Sequence, residues 1–141
     1  MKIGVYIFPT TYSISIVDLA RALEDRGFES LFVPEHTHIP VSRRTPFPGG
    51  EPLPQEYSNT LDPFVVLSAA AVATRTLRVG TGICLVSQRD PIVTAKAVAS
   101  LDVLSGGRFE FGIGAGWNQD EIENHGTAFD DRFRVMVDRV K

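Results

Sequence analysis

Two of the three histidines, His36 and His38, are the residues in this sequence best suited to chemistry. His36 directly follows Glu35, and one residue separates it from His38. An imidazole can act as an acid, a base or a hydrogen-bond donor near neutral pH. Alternate residues of a strand share one face, so the pair could also begin a metal site, but such a site needs further ligands and the remaining histidine is the distant His125. A catalytic His36, a metal-dependent hydrolase using His36 and His38, and a loop histidine bonded to nearby backbone all stay open.

A glycine-rich run forms the second candidate, Gly112-Ile113-Gly114-Ala115-Gly116, followed by Trp117. It does not match the G-x-G-x-x-G dinucleotide fingerprint, because Trp117 stands where the last glycine belongs. Glycines at the end of a strand still allow a flat or phosphorylated ligand to approach the backbone, or simply form a tight turn. Asn118 and Glu121 are spaced as a capping box, and this favours a capping role over a catalytic one for Glu121.

Four apolar segments are predicted to be strands, namely residues 3–8, 30–34, 77–86 and 109–113. The candidate residues lie at or near the carboxyl ends of these strands. Within the third, Gly82-Ile83 indicates a bulge or a close approach of two backbones. Helical patterns alternate with the strands, and Ser15, Asp62-Pro63 and Asp90-Pro91 are typical helix starts. This alternation without hairpin turns predicts an α/β fold, (βα)4, with parallel strands joined by right-handed crossovers. Active sites of such folds lie at the carboxyl ends of the strands.

The strand spacing matches the units of a TIM-type (β/α)8 barrel, a fold that needs at least about 200 residues. With 141 residues, the chain is predicted to be a single segment, 1–141, that forms the N-terminal half of such a barrel. A long loop, 37–61, holds five of the nine prolines. Loops of this length without regular structure are usually functional. The open edges of the first and fourth strands predict a homodimer or larger assembly.

The composition is that of an ordinary globular domain, 43% hydrophobic and 22% charged. A net charge of -3 is too balanced to favour nucleic acid or an anionic membrane as a partner. No apolar run approaches the roughly 20 residues of a membrane-spanning helix. Cys84 is the only cysteine, which makes a small core residue in a cytoplasmic protein the default expectation.

The order and spacing of several segments resemble the bacterial luciferase-like family of flavin- and deazaflavin-dependent oxidoreductases, especially its coenzyme F420-dependent branch. Much of the resemblance lies in Leu31-Phe32-Val33-Pro34-Glu35-His36 and in residues 104–118, with further matches at 1–5, 22–30, 60–63, 77–83 and 89–91. These segments cover almost the whole chain but only the N-terminal half of the family's barrel. The resemblance implies hydride transfer between F420, or alternatively FMN, and a small organic substrate.

The resemblance also implies roles for individual residues. In such families a histidine at the end of the second strand lies beside the redox ring, where it donates a proton or steadies charge, and His36 matches it. A bulge after the third strand, in many members with a non-proline cis peptide, supports the ring from behind, and the turn after the fourth strand borders it. By similarity, the cofactor-binding positions are His36, Gly82, Ile83, Gly114, Ala115, Gly116 and Trp117; no metal ligand is implied.

One departure from the family limits what the resemblance implies. Some F420 dehydrogenases carry a catalytic glutamate where this chain has Trp117, so their sugar-phosphate chemistry is not implied. Eleven arginines against three lysines are typical of GC-rich genomes such as those of F420-producing actinobacteria, which favours F420 over FMN.

Barrel phosphate sites are usually built after strands seven and eight. An alternative is therefore a truncated or non-catalytic half-barrel that must assemble to bind cofactor, and weak cofactor binding or none is expected for this chain alone.

Overall fold

Six short strands and six helices make up the computed structural model, which describes residues 1–141. The strands are β1 Gly4–Tyr6, β2 Ser30–Val33, β3 Arg78–Thr81, β4 Cys84–Leu85, β5 Phe109–Glu110 and β6 Ile113–Gly114. The helices are α1 Ile16–Asp25, α2 Glu56–Asn59, α3 Pro63–Ala73, α4 Pro91–Ser105, α5 Gln119–Asn124 and α6 Arg132–Val140. Short 3-10 turns at Val86–Gln88 and Phe129–Asp131 precede α4 and α6.

The main sheet has four parallel strands in the order β1, β2, β3, β5. Val5, Leu31, Val79 and Phe109 lie side by side across it. Each strand thus lies beside the one that precedes it in the main sheet, as expected for the wall of a (β/α)8 barrel. The predicted parallel α/β fold is confirmed.

The third and fourth predicted strands, 77–86 and 109–113, are each broken near the middle. The backbone leaves the main sheet after Thr81 and Glu110, and β4 then pairs with β6 in a separate parallel ladder. Hydrogen bonds to the Gly112 carbonyl join the two breaks: the Thr81 hydroxyl donates at 2.7 Å and the Cys84 N–H at 2.8 Å. A Cβ on residue 112 would lie 2.2 Å from the Thr81 carbonyl oxygen. The apolar pattern of the sequence does not indicate these breaks, because both halves of each predicted strand are apolar.

The helix starts agree with the sequence. Ser15, Asp62 and Asp90 each accept the backbone N–H three residues later, at 3.3, 3.1 and 2.8 Å. Such caps satisfy N–H groups that have no partner inside the helix, and each contributes about 1 kcal/mol. The proline-rich loop 37–61 is less irregular than its sequence indicates, because the short helix α2 lies within it.

The core lies between the main sheet and helices α1, α3 and α4. Its largest buried side chains come from both layers and include Leu31, Val33, Leu67, Leu77, Val79 and Leu101. Burying one such side chain contributes about 1.5–3 kcal/mol, so this layer of contacts holds the helices on the sheet. Cys84 is also buried in the core, as predicted. Burial, together with the nearby Glu35 carboxylate, raises the pKa of its thiol.

Two charged side chains fix the connection between α3 and β3. Oε1 of Glu24 accepts the backbone N–H groups of residues 75, 76 and 77 at 2.6–3.0 Å. Burial alone would raise the pKa of Glu24, but these hydrogen bonds outweigh it and lower the pKa to about 2. Arg108 donates to the carbonyls of Ala71 at 2.7 Å and Thr74 at 3.2 Å, at the end of α3. Together they set where β3 enters the sheet.

Large apolar side chains are exposed on the outer faces of α3 and α4. Val65, Val72, Ile92 and Val103 are all exposed there. α3 is apolar on nearly every side, and helices of this kind are usually covered by another element, so its outer face is available for packing. None of the helices combines the length and the apolar character needed to cross a membrane.

Candidate functional site

A cavity of about 390 Å³ opens at the carboxyl ends of the strands. Every predicted site residue except Gly114 lines it, and aromatic side chains complete the lining: Tyr6, Phe8, Tyr57 and Phe133. A slightly larger cavity of about 430 Å³ lies between α4 and α6, but its lining is mainly apolar and contains none of the predicted residues. The first cavity is therefore the candidate site.

His36 is held beside this cavity by a buried carboxylate. Its Nδ1 lies 2.7 Å from Oε2 of Glu121, and the other carboxylate oxygen accepts the backbone N–H of Thr37 at 3.0 Å. The side chains of His36 and Glu121 are only 6% and 1% exposed. An ionised carboxylate can only accept hydrogen bonds, so this contact matches the His36 tautomer that carries its proton on Nδ1.

The capping role expected for Glu121 is wrong. Asn118, the first residue of the predicted box, makes no side-chain hydrogen bond to the start of α5. Glu121 instead reaches a residue that is 85 positions earlier in the chain. Local spacing cannot indicate this contact, because the same pattern of polar residues occurs at ordinary helix starts.

The Gly82–Ile83 peptide bond is cis, as the resemblance implies. The Ile83 side chain is 37% exposed and lies against Gly114, where an added Cβ would be 1.7 Å from its Cδ1. A Cβ on Gly82 would lie 3.3 Å from the Tyr6 ring, and Gly116 has a φ of 83° that other residues rarely adopt. These glycines let the bulge and the 114–117 turn pack together beside one cavity.

Comparison with known proteins identifies the family. The sequence model for the luciferase-like monooxygenases matches residues 1–141. The chain belongs to this family. It is also 44% identical over 130 residues to an uncharacterized protein of Mycobacterium tuberculosis, a match that covers 90% of this chain and 46% of that protein. The chain thus spans about half the length of the curated relatives it matches.

Solved structures extend the comparison. The chain is 27% identical to the monooxygenase RslO1 from Streptomyces bottropensis, with a TM-score of 0.79 over 99% of this chain and 41% of that one. It is 28% identical to the coenzyme F420-dependent tetrahydromethanopterin reductase from Methanopyrus kandleri, with a TM-score of 0.65 over 89% of this chain and 30% of that one. These overlaps confirm the predicted fold class, four βα units of a (β/α)8 barrel.

In this luciferase-like chain, Glu35 links the end of β2 to the bulge, a role that the sequence does not indicate. Its Oε2 accepts the N–H of Leu85 at 2.6 Å, and its Oε1 accepts Nε of Arg89 at 2.6 Å. Arg89 also donates to Asp62 at 2.9 Å. A buried carboxylate is tolerated only when it is paired and hydrogen-bonded, and here the pairing fixes the strand that follows Ile83.

The proline-rich loop covers one side of the candidate site. Its Phe47 and Tyr57 rings pack near Trp117, with centroids 5.9 and 6.3 Å away. Arg44 fastens the loop to α5, because Nε donates to Asp120 at 2.6 Å and the guanidinium also pairs with Glu123. The sequence predicts a functional loop but not this attachment, since the partners lie more than 70 positions apart.

His38 does not join His36 in a common site. Its Nδ1 lies 2.9 Å from the Thr37 hydroxyl and its Nε2 lies 2.9 Å from the side-chain amide of Asn124. Its ring neighbours His125 with a centroid distance of 5.7 Å, and burial, followed by the charge of His38, lowers the pKa of His125. No group of three or more His, Cys, Asp or Glu side chains is arranged to hold a metal ion. The metal-dependent alternative therefore has no third ligand beside the pair.

Proposed function

We propose that this protein is a hydride-transfer oxidoreductase in which the candidate cavity holds the redox ring of coenzyme F420 and His36 handles a substrate proton. The observation that carries the proposal is that His36, the Gly82–Ile83 bulge and residues 115–117 line one cavity. The similarity to a reductase that is F420-dependent by name supports F420 over FMN. The expected substrate is a small organic molecule.

The residues present suit a flat, largely apolar ring. Ile83 presents an aliphatic surface, and glycine at position 114 leaves room for that side chain. Ala115 and Gly116 add little bulk at the adjacent edge, and Trp117 closes it. Ligand sites of this kind are mostly apolar with a few polar groups that fix orientation. Ile83 would support the ring from behind, and the 114–117 turn would border it.

When bound, the cofactor supplies or accepts the hydride. The chain's own residues would orient the substrate, exclude water and move a proton. Nε2 is the ring nitrogen of His36 that does not contact Glu121. In the Nδ1–H tautomer it would accept a proton from the substrate, and the imidazolium so formed would return a proton from Nε2 in the reverse direction. The rings of Tyr57 and Trp117, 5.3 and 5.9 Å from the imidazole centroid, would keep water from that nitrogen.

The second candidate is a half-barrel that binds cofactor only when assembled, as a homodimer or a larger complex. Two features of the surface favour assembly. β1 and β5 are the edges of the main sheet, and open edges tend to pair with another chain. The apolar side chains exposed on the outer faces of α3 and α4 offer a further packing surface.

The test is a titration of the purified protein with F420 and, separately, with FMN. Trp117 is the only tryptophan and lines the cavity, so quenching of its fluorescence reports occupancy at this site. We expect F420 to quench more strongly than FMN, with weak affinity at low protein concentration. An affinity that rises with protein concentration would favour the assembled half-barrel, and the absence of quenching by either compound at every concentration would contradict the proposal.

A further inference from the structure

Glu121 is a buried carboxylate to which the proposed function assigns no role. Its two oxygens have different partners, His36 Nδ1 at 2.7 Å and the Thr37 N–H at 3.0 Å. Its side chain is almost fully excluded from solvent. A carboxylate in such a place is costly unless its hydrogen bonds are satisfied, so Glu121 and the segment 36–37 are mutually dependent.

We infer that Glu121 is a positioning residue that fixes the tautomer and the orientation of the His36 ring, so that the Nε2 lone pair faces the cavity. The inference rests on the proposed function only in taking His36 as the residue that transfers a proton. The tautomer is a property of the His36–Glu121 pair itself.

The chemistry of the two contacts requires a carboxylate. His36 Nδ1–H and the Thr37 N–H contact different oxygens of residue 121, and a carboxylate offers an acceptor at both places. An amide at position 121 has one oxygen. If it accepts from Thr37, its NH2 group faces Nδ1 and favours the tautomer with the proton on Nε2; if it accepts from His36, its NH2 group opposes the Thr37 N–H.

The aromatic walls reinforce the orientation. Tyr57 and Trp117 flank the imidazole, and a ring flip would replace the Nδ1 contact with a carbon edge against Glu121. The orientation is therefore fixed by one charged hydrogen bond and two ring contacts. Among the residues of α5, Asp120 and Glu123 bind Arg44 instead, so Glu121 is the acid of this helix that acts on His36.

The test measures the tautomer directly, without cofactor. The protein has three histidines, so long-range 15N–1H spectra of histidine-labelled protein are simple, and His38→Gln and His125→Gln assign them. We expect neutral His36 to carry its proton on Nδ1 in the wild type. In Glu121→Gln we expect the Nε2–H form or a mixture, while Glu121→Asp retains the Nδ1–H form. Glu29→Gln, whose carboxylate pairs with the exposed Lys2, is the matched control and should leave the His36 signals unchanged.

Kinetics give the second readout. If the proposed function holds, Glu121→Gln should lower kcat at least tenfold with little change in F420 affinity, because it impairs an acid–base contribution that is roughly 10²- to 10⁴-fold in full. A wild-type His36 protonated on Nε2, or an unchanged tautomer in Glu121→Gln, would overturn the inference. Failure of F420 to bind would count against the proposed function alone, because the tautomer is measured without it. If Glu121→Gln does not fold, the wild-type tautomer and Glu121→Asp still decide the outcome.

Discussion

The side chain of Ile83 occupies the space that a Cβ on residue 114 would need. The distance from that Cβ position to Ile83 Cδ1 is 1.7 Å, well inside any allowed contact. Gly114 is therefore required by packing against the bulge. This contact joins the end of β3 to the end of β6 and brings together the two segments that we propose to border the cofactor.

Gly114→Ala should destabilise the protein by about 1–3 kcal/mol, the usual cost of adding a methyl group to a packed site. Chemical unfolding of the variant measures this loss. Ile83→Ala removes the atom that clashes. Gly114→Ala should therefore lower the free energy of unfolding much less in an Ile83→Ala background than in the wild type. Equal effects of the glycine substitution in both backgrounds would show that Ile83 is not the cause.

Arg44→Ala should release the 37–61 loop from α5, because Arg44 is the side chain that pairs with both Asp120 and Glu123. Faster hydrogen exchange and proteolysis within 37–61 would report this. Arg134→Ala is the charge-matched control, since Arg134 pairs with Asp131 on the exposed side of α6. Equal protection of the loop in wild type and Arg44→Ala would contradict the prediction.

Acid should release the same loop. Hydrogen bonds from the Arg44 backbone and guanidinium lower the pKa of Asp120, and those from Gln119 and Arg44 lower the pKa of Glu123. A carboxyl whose pKa is lowered in the folded state stabilises the fold at pH values above its ordinary pKa, which is near 4. This stabilisation is lost as the pH falls through the lowered pKa of the folded state. Loop exchange, corrected for its intrinsic pH dependence, should therefore increase below about pH 4 in wild type and much less in Arg44→Ala.

Glu24 should contribute about 1 kcal/mol through its hydrogen bonds to the start of β3, discounted for its partial exposure. Its pKa of about 2 lies below the unfolded value, so the contribution is complete above about pH 4.3 and is lost as the pH falls towards 2. Glu24→Gln should flatten that part of the curve of unfolding free energy against pH. Glu29→Gln, which loses a pairing with the exposed Lys2, should leave it nearly unchanged.

The sequence predicts the features of this chain that depend on local signals. Asp90-Pro91 and Asp62-Pro63 start helices because a carboxylate cap and a preset φ act within one turn. The parallel sheet follows from strand–helix alternation, and the position of His36 follows from the place of strand ends in such a sheet. The same logic places Gly82, Ile83 and the 114–117 turn near it.

Contacts between distant residues are not predicted. Glu121 reaches His36 across 85 positions, and Arg89 reaches Glu35 across 54. Each carboxylate looks like an ordinary polar residue when only its neighbours in sequence are considered. The buried polar network becomes visible only when the sheet brings the strand ends together, which is why the role of Glu121 is missed and a capping role is predicted instead.

His36→Ala should lower turnover at least tenfold while F420 remains bound, because the variant removes the proton-handling group and leaves the Ile83 bulge and the 114–117 turn in place. The measurement is reoxidation of reduced F420 by a panel of small organic acceptors, with Trp117 quenching to confirm binding. His38→Ala is the control, since His38 contacts Thr37 and Asn124 rather than the cavity. Unchanged turnover in His36→Ala would remove this residue from the reaction. Equal loss in both variants, together with stoichiometric zinc bound by the wild type alone, would instead favour the paired-histidine metal site.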